Sequence, residues 1–397
     1  ALSTILQNFV NSYKQFRWLK HQQTEIENII FAFPRLYKIQ DSYVDKFTDP
    51  LIELSDLKRS YTIFQRYHSG RIHQDKTIKM DYIELSSLLC AIITLPLFAL
   101  KHWSTLRKLF HALSCIDPIG IKEHIIHTLQ ISSFFIQVKQ YRKIFSLHET
   151  KRIFIVDRAI FFAPSVAIKS LDGEVFELQH GITMGDTILY TGDYRKEIDP
   201  DYFLTFGSIW TGPQFGIPEK RIKCIGWGYR EMLQINQSTS VLDKTILVIS
   251  TPQITKEIVE LTAQWAQWWD HLQFHIRLHP QEELSSQQEE LLGQYQNIEI
   301  SDTKIDSFIA LQSYSHVVGD ISSVLFEALS MGKLVGKLNF GIFASRSTPS
   351  QYYEDFSIIN TPKDLLSFAE QKNLNHHSDK FYTDFDAAYF NHQILDK

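Results

Sequence analysis

The sequence predicts an α/β chain built as two parallel-sheet domains facing a cleft, with a helical elaboration at the N-terminus. Three observations predict it. The chain has 397 residues, enough for two hydrophobic cores of ordinary size. From residue 149 onward, short β-rich runs alternate with helical patterns, the order that builds a parallel sheet covered by helices. A polar break at residues 235–243 divides those runs into two sets. The expected boundaries are 1–230 for the first domain, mostly helical over 1–148 and α/β over 149–230, and 231–397 for the second.

Over residues 1–148 the apolar residues recur at three- and four-residue steps, as in Ile5, Phe9, Tyr13, Phe16 and Leu19, and convincing strands are scarce. Segments 82–115 and 121–145 continue the helical pattern. The first β-rich set is expected at 153–156, 166–169, 174–178, 202–206 and 222–225. The second is expected at 245–250, 274–278, 298–300, 316–318 and 334–338. Helices at about 253–270, 281–295, 305–313 and 323–331 fill the gaps of the second set. Helical pieces at 362–371 and 383–394 are expected to cross back toward the first domain.

Composition excludes some functions. With 44% apolar and 21% charged residues the chain reads as globular, and a net charge of −5 lacks the basic footprint of a nucleic-acid binder. Residues 1–150 nevertheless hold 19 Lys and Arg against 13 Asp and Glu. That excess suits an anionic membrane or an acidic acceptor, or simply a solvated helical surface. Cys90, Cys115 and Cys224 lack metal-ligand spacing and fit small core residues in a reducing cytoplasm. The apolar run Leu88–Leu100 is interrupted by Pro96 and is too short for a bilayer span, so a buried core helix is expected there. Its neighbours Lys101, His102 and Trp103 keep peripheral membrane contact open. No signal peptide is evident, and a cytoplasmic location is expected.

The stretch HVVGDISSVLFEALSMGK at 316–333 carries the sharpest signal. An apolar strand breaks at Gly319 and Asp320, and Ser322 and Ser323 stand where a helix N-cap belongs. Unpaired amides and the positive end of the helix dipole then favour a phosphate. Glu327, one turn further along the same face, is within reach of an attached ribose. In FHIRLHP at 274–280, Pro280 ends a strand and sets His279 at the carboxyl edge of the same sheet, with His275 and Arg277 on the same strand face. Asp302 ends another strand, where its loop faces a base or ribose.

In the first half, FELQHGI places Gln179, His180 and Gly181 at a strand end, His180 as acid, base or phosphate partner and Gly181 as a point of close backbone approach. Asp157 ends the run IFIVD and suits a base or nucleophile, although a surface or loop interaction with Arg158 is the preferred reading. Asp172 is the second candidate carboxylate, with Asp186 and Asp193 behind it. Asp172-Gly173 also reads as a hairpin turn, and that reading is preferred. Trp265, Trp268 and Trp269 fit a packed helix face. No metal-spaced His/Cys cluster occurs, so no metal or cofactor is expected.

Together, His279-Pro280, Ile300-Ser301-Asp302 and GDISSVLFEALSMGK resemble the nucleotide-binding half of bacterial GT-B glycosyltransferases that use cytidine-activated donors. These are the Kdo transferases and sialyltransferases, with similarity also to teichoic-acid glycerophosphotransferases. The likeness covers about residues 245–340. It implies a GT-B-like fold of two Rossmann-like domains and a CMP-sugar donor, Kdo before sialic acid. It also implies donor contacts from His279, Ser322, Ser323 and Glu327, and a glycan or glycolipid acceptor in lipopolysaccharide O-antigen or capsule synthesis. The His-Gly and Gly-x-Gly elements resemble surface-polysaccharide transferases, but Gln179-His180-Gly181-Ile182 departs from the Trp-His-Gly-Thr of the glycerophosphotransferases. A UDP-hexose transferase, a CDP-glycerol phosphotransferase and a non-catalytic glycan-binding scaffold remain the alternatives.

Overall fold

The computed structural model describes all residues except 1, 23–24, 34–35, 40–41, 67–72, 183–189, 191, 211–215, 234–240, 346–353, 373–379 and 397. The chain starts with α1 (Leu2–His21) and β1 (Asn28–Phe31), then the hairpin β2 (Tyr37–Ile39) and β3 (Ser42–Val44). There follow α2 (Asp49–Leu54), β4 (Tyr61–Gln65) and β5 (Thr77–Lys79). Three helices come next, α3 (Asp81–Lys101), α4 (Trp103–Ser114) and α5 (Ile121–Leu147). The first half closes with β6 (Arg152–Ile155), α6 (Phe162–Lys169), β7 (Glu174–Leu178), β8 (Tyr202–Thr205), β9 (Ile222–Cys224) and α7 (Tyr229–Met232). The second half runs β10 (Thr245–Ile249), α8 (Thr255–Trp268), β11 (Gln273–Arg277), α9 (Ser286–Leu292), β12 (Ile298–Ile300), α10 (Ser307–Leu311) and β13 (His316–Gly319). It ends with α11 (Ser323–Ser330), β14 (Leu334–Leu338), α12 (Gly341–Ala344), β15 (Ser357–Ile359), α13 (Asp364–Ala369) and α14 (Ala387–Phe390).

Two parallel sheets result. The first has seven strands in the order β5-β4-β1-β6-β7-β8-β9, and the second six in the order β12-β11-β10-β13-β14-β15. Their strands read Ile-Ile-Phe, Arg-Ile-Phe-Ile or Thr-Ile-Leu-Val-Ile because a parallel sheet is covered on both faces. In each sheet the strand order reverses once, beside β1 and β6 in the first and beside β10 and β13 in the second. Ligands of such sheets bind in the crevice outside the carboxyl ends at that reversal.

Several expectations change here. The N-terminal region is not strand-poor, because β1, β4 and β5 supply three of the seven strands of the first sheet. They are only three to five residues long, and the longer helical periodicities around them hide them. Segment 166–169 is the end of α6 rather than a strand, its residues Ala167 and Ile168 packing on the sheet. Asp172 does sit in a turn, with φ 59°, but that turn joins α6 to the parallel strand β7 and is no hairpin. Cys90 and Cys115 are exposed and Cys224 is half-buried, so none is a core residue. The helix α3 is no buried core helix either, since most of its apolar residues face outward. Among the described residues it alone is long and apolar enough to cross a membrane by length and composition. Trp265 is fully buried, whereas Trp268 of the same cluster is exposed.

One apolar core runs through the inner faces of both sheets. In it Trp227 meets Phe308 at 5.0 Å and Trp210 meets Phe326 at 5.8 Å between ring centroids. The C-terminal segment threads back onto the first sheet: Thr383 donates its amide to the Phe206 carbonyl at 2.8 Å and accepts at its own carbonyl from the Trp227 amide at 2.9 Å. Beyond it, Phe390 packs on Phe154 and Arg152 donates to the Leu395 carbonyl. Gly226, with φ 77°, has to be glycine, because any Cβ would run into the Asp384 carbonyl. The crossing segment thus explains Gly226, whereas a Cβ on Gly228 would meet Leu54 of α2 first.

Candidate functional site

The carboxyl ends of the second sheet, at its reversal, meet loops of the first domain around a cavity of about 130 Å³. Arg277, His279, Ser322, Ser323 and Glu327 all line it, so five of the six expected donor contacts converge. Tyr37 and Lys46 close it from the opposite side.

Ser322 is the N-cap of α11: its backbone is extended (φ −152°, ψ 142°) and its Oγ accepts from the Val324 amide at 3.3 Å. Ser323 opens the helix with its side chain half-buried at the cleft. The neighbouring Asp320 would repel an anion. It is buried, however, and Lys337 Nζ lies 3.0 Å from its Oδ1, so its charge is offset locally.

His279 is held by Glu282. One Glu282 oxygen accepts from the His279 amide, while the other accepts from Ser250 Oγ at 2.6 Å and Thr255 Oγ1 at 2.5 Å. Three chain segments are thereby tied at the end of β10, β11 and the start of α8. Gln281 donates its amide to His279 Nδ1 at 3.2 Å, which sets the tautomer with the proton on Nε2. Nothing in the motif His-Pro advertised Glu282; only its position three residues on, inside a turn, is a signal.

Arg277 is buried and donates to the carbonyls of Asp302, at 3.0 Å, and Ile305. Burial lowers its pKa, against the opposing attraction of Asp306 and Glu327. It shapes the 302–305 loop while adding positive charge to the cavity wall. Asp302 itself is a correction: its side chain is exposed, lies outside the cavity lining and accepts from the Lys304 amide at 2.8 Å.

Glu327 is 1% exposed and doubly engaged. Its Oε2 accepts from Ser307 Oγ at 2.6 Å, and its Oε1 lies 3.7 Å from Lys46 Nζ. Burial raises the Glu327 pKa more than Lys46 and Ser307 lower it. For Lys46, burial acts to lower the pKa, but the attraction of Glu327, with Tyr37 and Asp306, outweighs it and the net shift is upward. The ammonium also faces the rings of Tyr37 at 4.8 Å, Phe47 at 5.4 Å and Trp227 at 5.6 Å. Buried Asp45 presents this lysine, accepting from the amides of Phe33 and Phe47 and from Thr48 Oγ1 at 2.8 to 2.9 Å. No sequence motif marks Lys46.

In the first domain the carboxyl ends of β6 and β7 carry a second polar cluster. Glu177 is fully buried and accepts from the Arg158 amide at 3.0 Å and Nε at 2.7 Å. Burial raises its pKa while Arg158, and to a lesser degree His180, pull it down. The Arg158 guanidinium lies 5.0 Å from the Tyr190 ring centroid, and Tyr190 Oη lies 3.3 Å from His180 Nδ1. The His180 ring stacks on Phe33 at 5.7 Å, and Phe33 packs edge-on against Phe47, the neighbour of Lys46. A glutamate between Phe176 and Leu178 in a strand covered on both faces was the available signal for Glu177.

The remaining first-domain candidates separate. Asp157 does stand at the carboxyl end of β6, but its Oδ1 accepts from the amides of Ala159, at 2.8 Å, and Ile160, and so caps the following turn. Asp172 lies before β7, at the amino edge of the sheet and away from the cleft, which removes it as a catalytic candidate. Gln179 is fully buried, accepting from the Phe206 amide at 2.9 Å and donating to the Gly181 carbonyl at 2.8 Å, so it clamps β7 to the segment after β8 and is no acceptor contact. Beside Gly181 there is open space where a Cβ would point. Asp193 is exposed, and Asp186 lies outside the described residues. Among the described residues no group of three His, Cys, Asp or Glu side chains is placed to hold a metal ion.

Two Rossmann-like parallel-sheet domains with a cleft at their carboxyl ends define a GT-B-like fold. Solved structures agree. The UDP-GlcNAc 2-epimerase from Methanocaldococcus jannaschii superposes with a TM-score of 0.55 at 12% identity, over 94% of this chain and 99% of that one. The UDP-GlcNAc 2-epimerase from Neisseria meningitidis bound to UDP-GlcNAc gives 0.53 at 11% identity, over 94% and 100%. The S. aureus MnaA-UDP co-structure gives 0.50 at 10% identity, over 93% and 95%. No protein-family model and no curated sequence matches the chain.

Proposed function

We propose that this chain is a nucleotide-sugar-dependent glycosyltransferase whose donor phosphate binds at the start of α11. The observation that carries the reading is the convergence of Ser322, Ser323, His279 and Lys46 on one cavity at the strand-order reversal of the second sheet. Helix-start amides, hydroxyls, an Nε2–H imidazole and an ammonium form a donor set for a phosphate that needs no metal ion. The sugar would extend toward His180, which serves as the acid–base group of the first domain.

The sequence motifs favour a CMP-activated acidic sugar, Kdo first and sialic acid second, transferred to an O-antigen or capsule glycan. A second reading takes a UDP-sugar, as transferase or epimerase. It is favoured by the UDP and UDP-GlcNAc bound in the fold relatives. A cavity of about 130 Å³ holds a phosphate and little more, while whole-ligand sites run to roughly 300 Å³ and above. Donor entry therefore requires the two halves to part at Lys46 and Glu327.

Thermal shift with CMP, CDP, UDP and GDP tests the reading, followed by hydrolysis of the matching nucleotide sugar. Preference for CMP supports the acidic-sugar donor, and preference for UDP the second reading. No shift with any of the four sinks both, and binding without turnover leaves a nucleotide-binding scaffold.

A further inference from the structure

The helices α3 and α5 add Ile83, Tyr141, Ile144 and Phe145 to the core of the first sheet. Elsewhere on these two helices the buried positions are small or polar: Ser87 and Ala91 on α3, Thr128, Ser132 and Ser133 on α5, with Gln140 donating to both Ser86 and Ser87 at 3.1 to 3.2 Å. The apolar residues face solvent instead. Ile93 is 79% exposed, Leu97 72% and Leu100 76%, followed by Trp103 at 65% and Ile121 at 77%. A helix at the edge of a water-soluble core shows the opposite polarity. Contiguous apolar surface of this kind marks a surface that has a partner.

The structure also says which partner. Phe98 packs on Phe135 and Phe110 on His124, so α3 and α4 both pack on α5 and the three helices form one layer. Between them runs a trough of about 460 Å³, lined by Leu95, Trp103, Phe110 and Ile125 and carrying Arg107 at its edge. Residues 88–147 hold seven Lys and Arg against two Asp and Glu. Exposed Lys101, Arg107, Lys108 and Lys122 flank the apolar residues directly. A second copy would set this positive charge against itself. We infer that the α3–α5 layer docks on an anionic lipid bilayer, with the apolar side chains entering the headgroup–acyl boundary and the basic residues meeting lipid phosphates.

Flotation of the full chain on vesicles tests this. Binding is expected to vesicles of mixed phosphatidylcholine and phosphatidylglycerol at low ionic strength, and to weaken in high salt. Leu97→Asn/Leu100→Asn abolishes it. Lys101→Gln/Arg107→Gln/Lys108→Gln weakens it by roughly a hundredfold, at about one kcal/mol per basic contact. Both variants alter only exposed side chains, and an unchanged circular-dichroism melting curve verifies that they fold. Failure of the wild type to float with anionic vesicles overturns the inference. So does equal, salt-independent flotation on pure phosphatidylcholine, or a dimer in light scattering that Leu97→Asn/Leu100→Asn dissolves while no vesicle binds.

Discussion

Lys46 Nζ lies 3.7 Å from Glu327 Oε1, and this buried pair links the loop after β3 in one domain to α11 in the other. Both side chains are nearly withdrawn from water, so each is held there by the other.

Removing one partner strands the other. Lys46→Met is expected to lower stability by about 3 kcal/mol in urea unfolding, as buried pairs do when halved. The double variant Lys46→Met/Glu327→Leu is expected to recover at least half of that, because no unpaired charge remains. Simple additivity of the two single changes would contradict the coupling.

The pair also sets a pH dependence. The folded pKa of Glu327 is raised above its ordinary value of 4.5, so its favourable contribution is complete below that value and is lost as pH rises through the folded pKa. In Lys46→Met the attraction opposing burial is gone, and the folded pKa climbs further. The stability deficit of Lys46→Met is therefore expected to widen between about pH 5 and about pH 8. A deficit that stays constant across that range would show that Glu327 is not the group involved.

In turnover assays the two sheet edges separate. His180→Asn is expected to reduce turnover by about 10²- to 10⁴-fold with little change in melting temperature. Asp172→Asn, altered at the amino edge of the first sheet, is expected to leave turnover unchanged. Loss of activity in Asp172→Asn would return that carboxylate to the site.

Ser322 has a structural duty as well as a binding one. Ser322→Ala removes the cap on the Val324 amide and is expected to cost about 1 kcal/mol, while Ser322→Gly costs only a few tenths. Chemical denaturation of both variants without ligand measures this. Equal losses in the two would mean that the hydroxyl does not cap α11.

The second sheet was legible in the sequence because its first five strands are short runs with apolar residues between turn residues, alternating with helical patterns, and because Ser322 marks a helix start. The edge strand β15 (Ser357–Ile359) was not among the expected strands, lying past the last of the alternating apolar runs and helical patterns. The first sheet was half hidden at β1, β4 and β5 because the helical periodicities around them masked them. Site residues followed the same rule. His279, Ser322, Ser323 and Glu327 belong to strand-end and helix-start patterns, and the fold brings them together. Lys46 and Glu282 sit in turns whose meaning depends on contacts with distant segments, which no local pattern encodes. Gln179 misled because a polar residue beside His-Gly at a strand end reads as a ligand contact, whereas here its amide bonds are spent on the backbone of Phe206 and Gly181.

Titration calorimetry of the preferred nucleotide into wild type and His279→Ala tests the central claim most directly. If the phosphate sits between His279 and the start of α11, the variant binds roughly tenfold to a hundredfold more weakly, the loss expected for a hydrogen bond to a charged group. Its unliganded melting temperature stays close to that of the wild type. Equal affinity in the two proteins would contradict the account, because the nucleotide would then bind elsewhere.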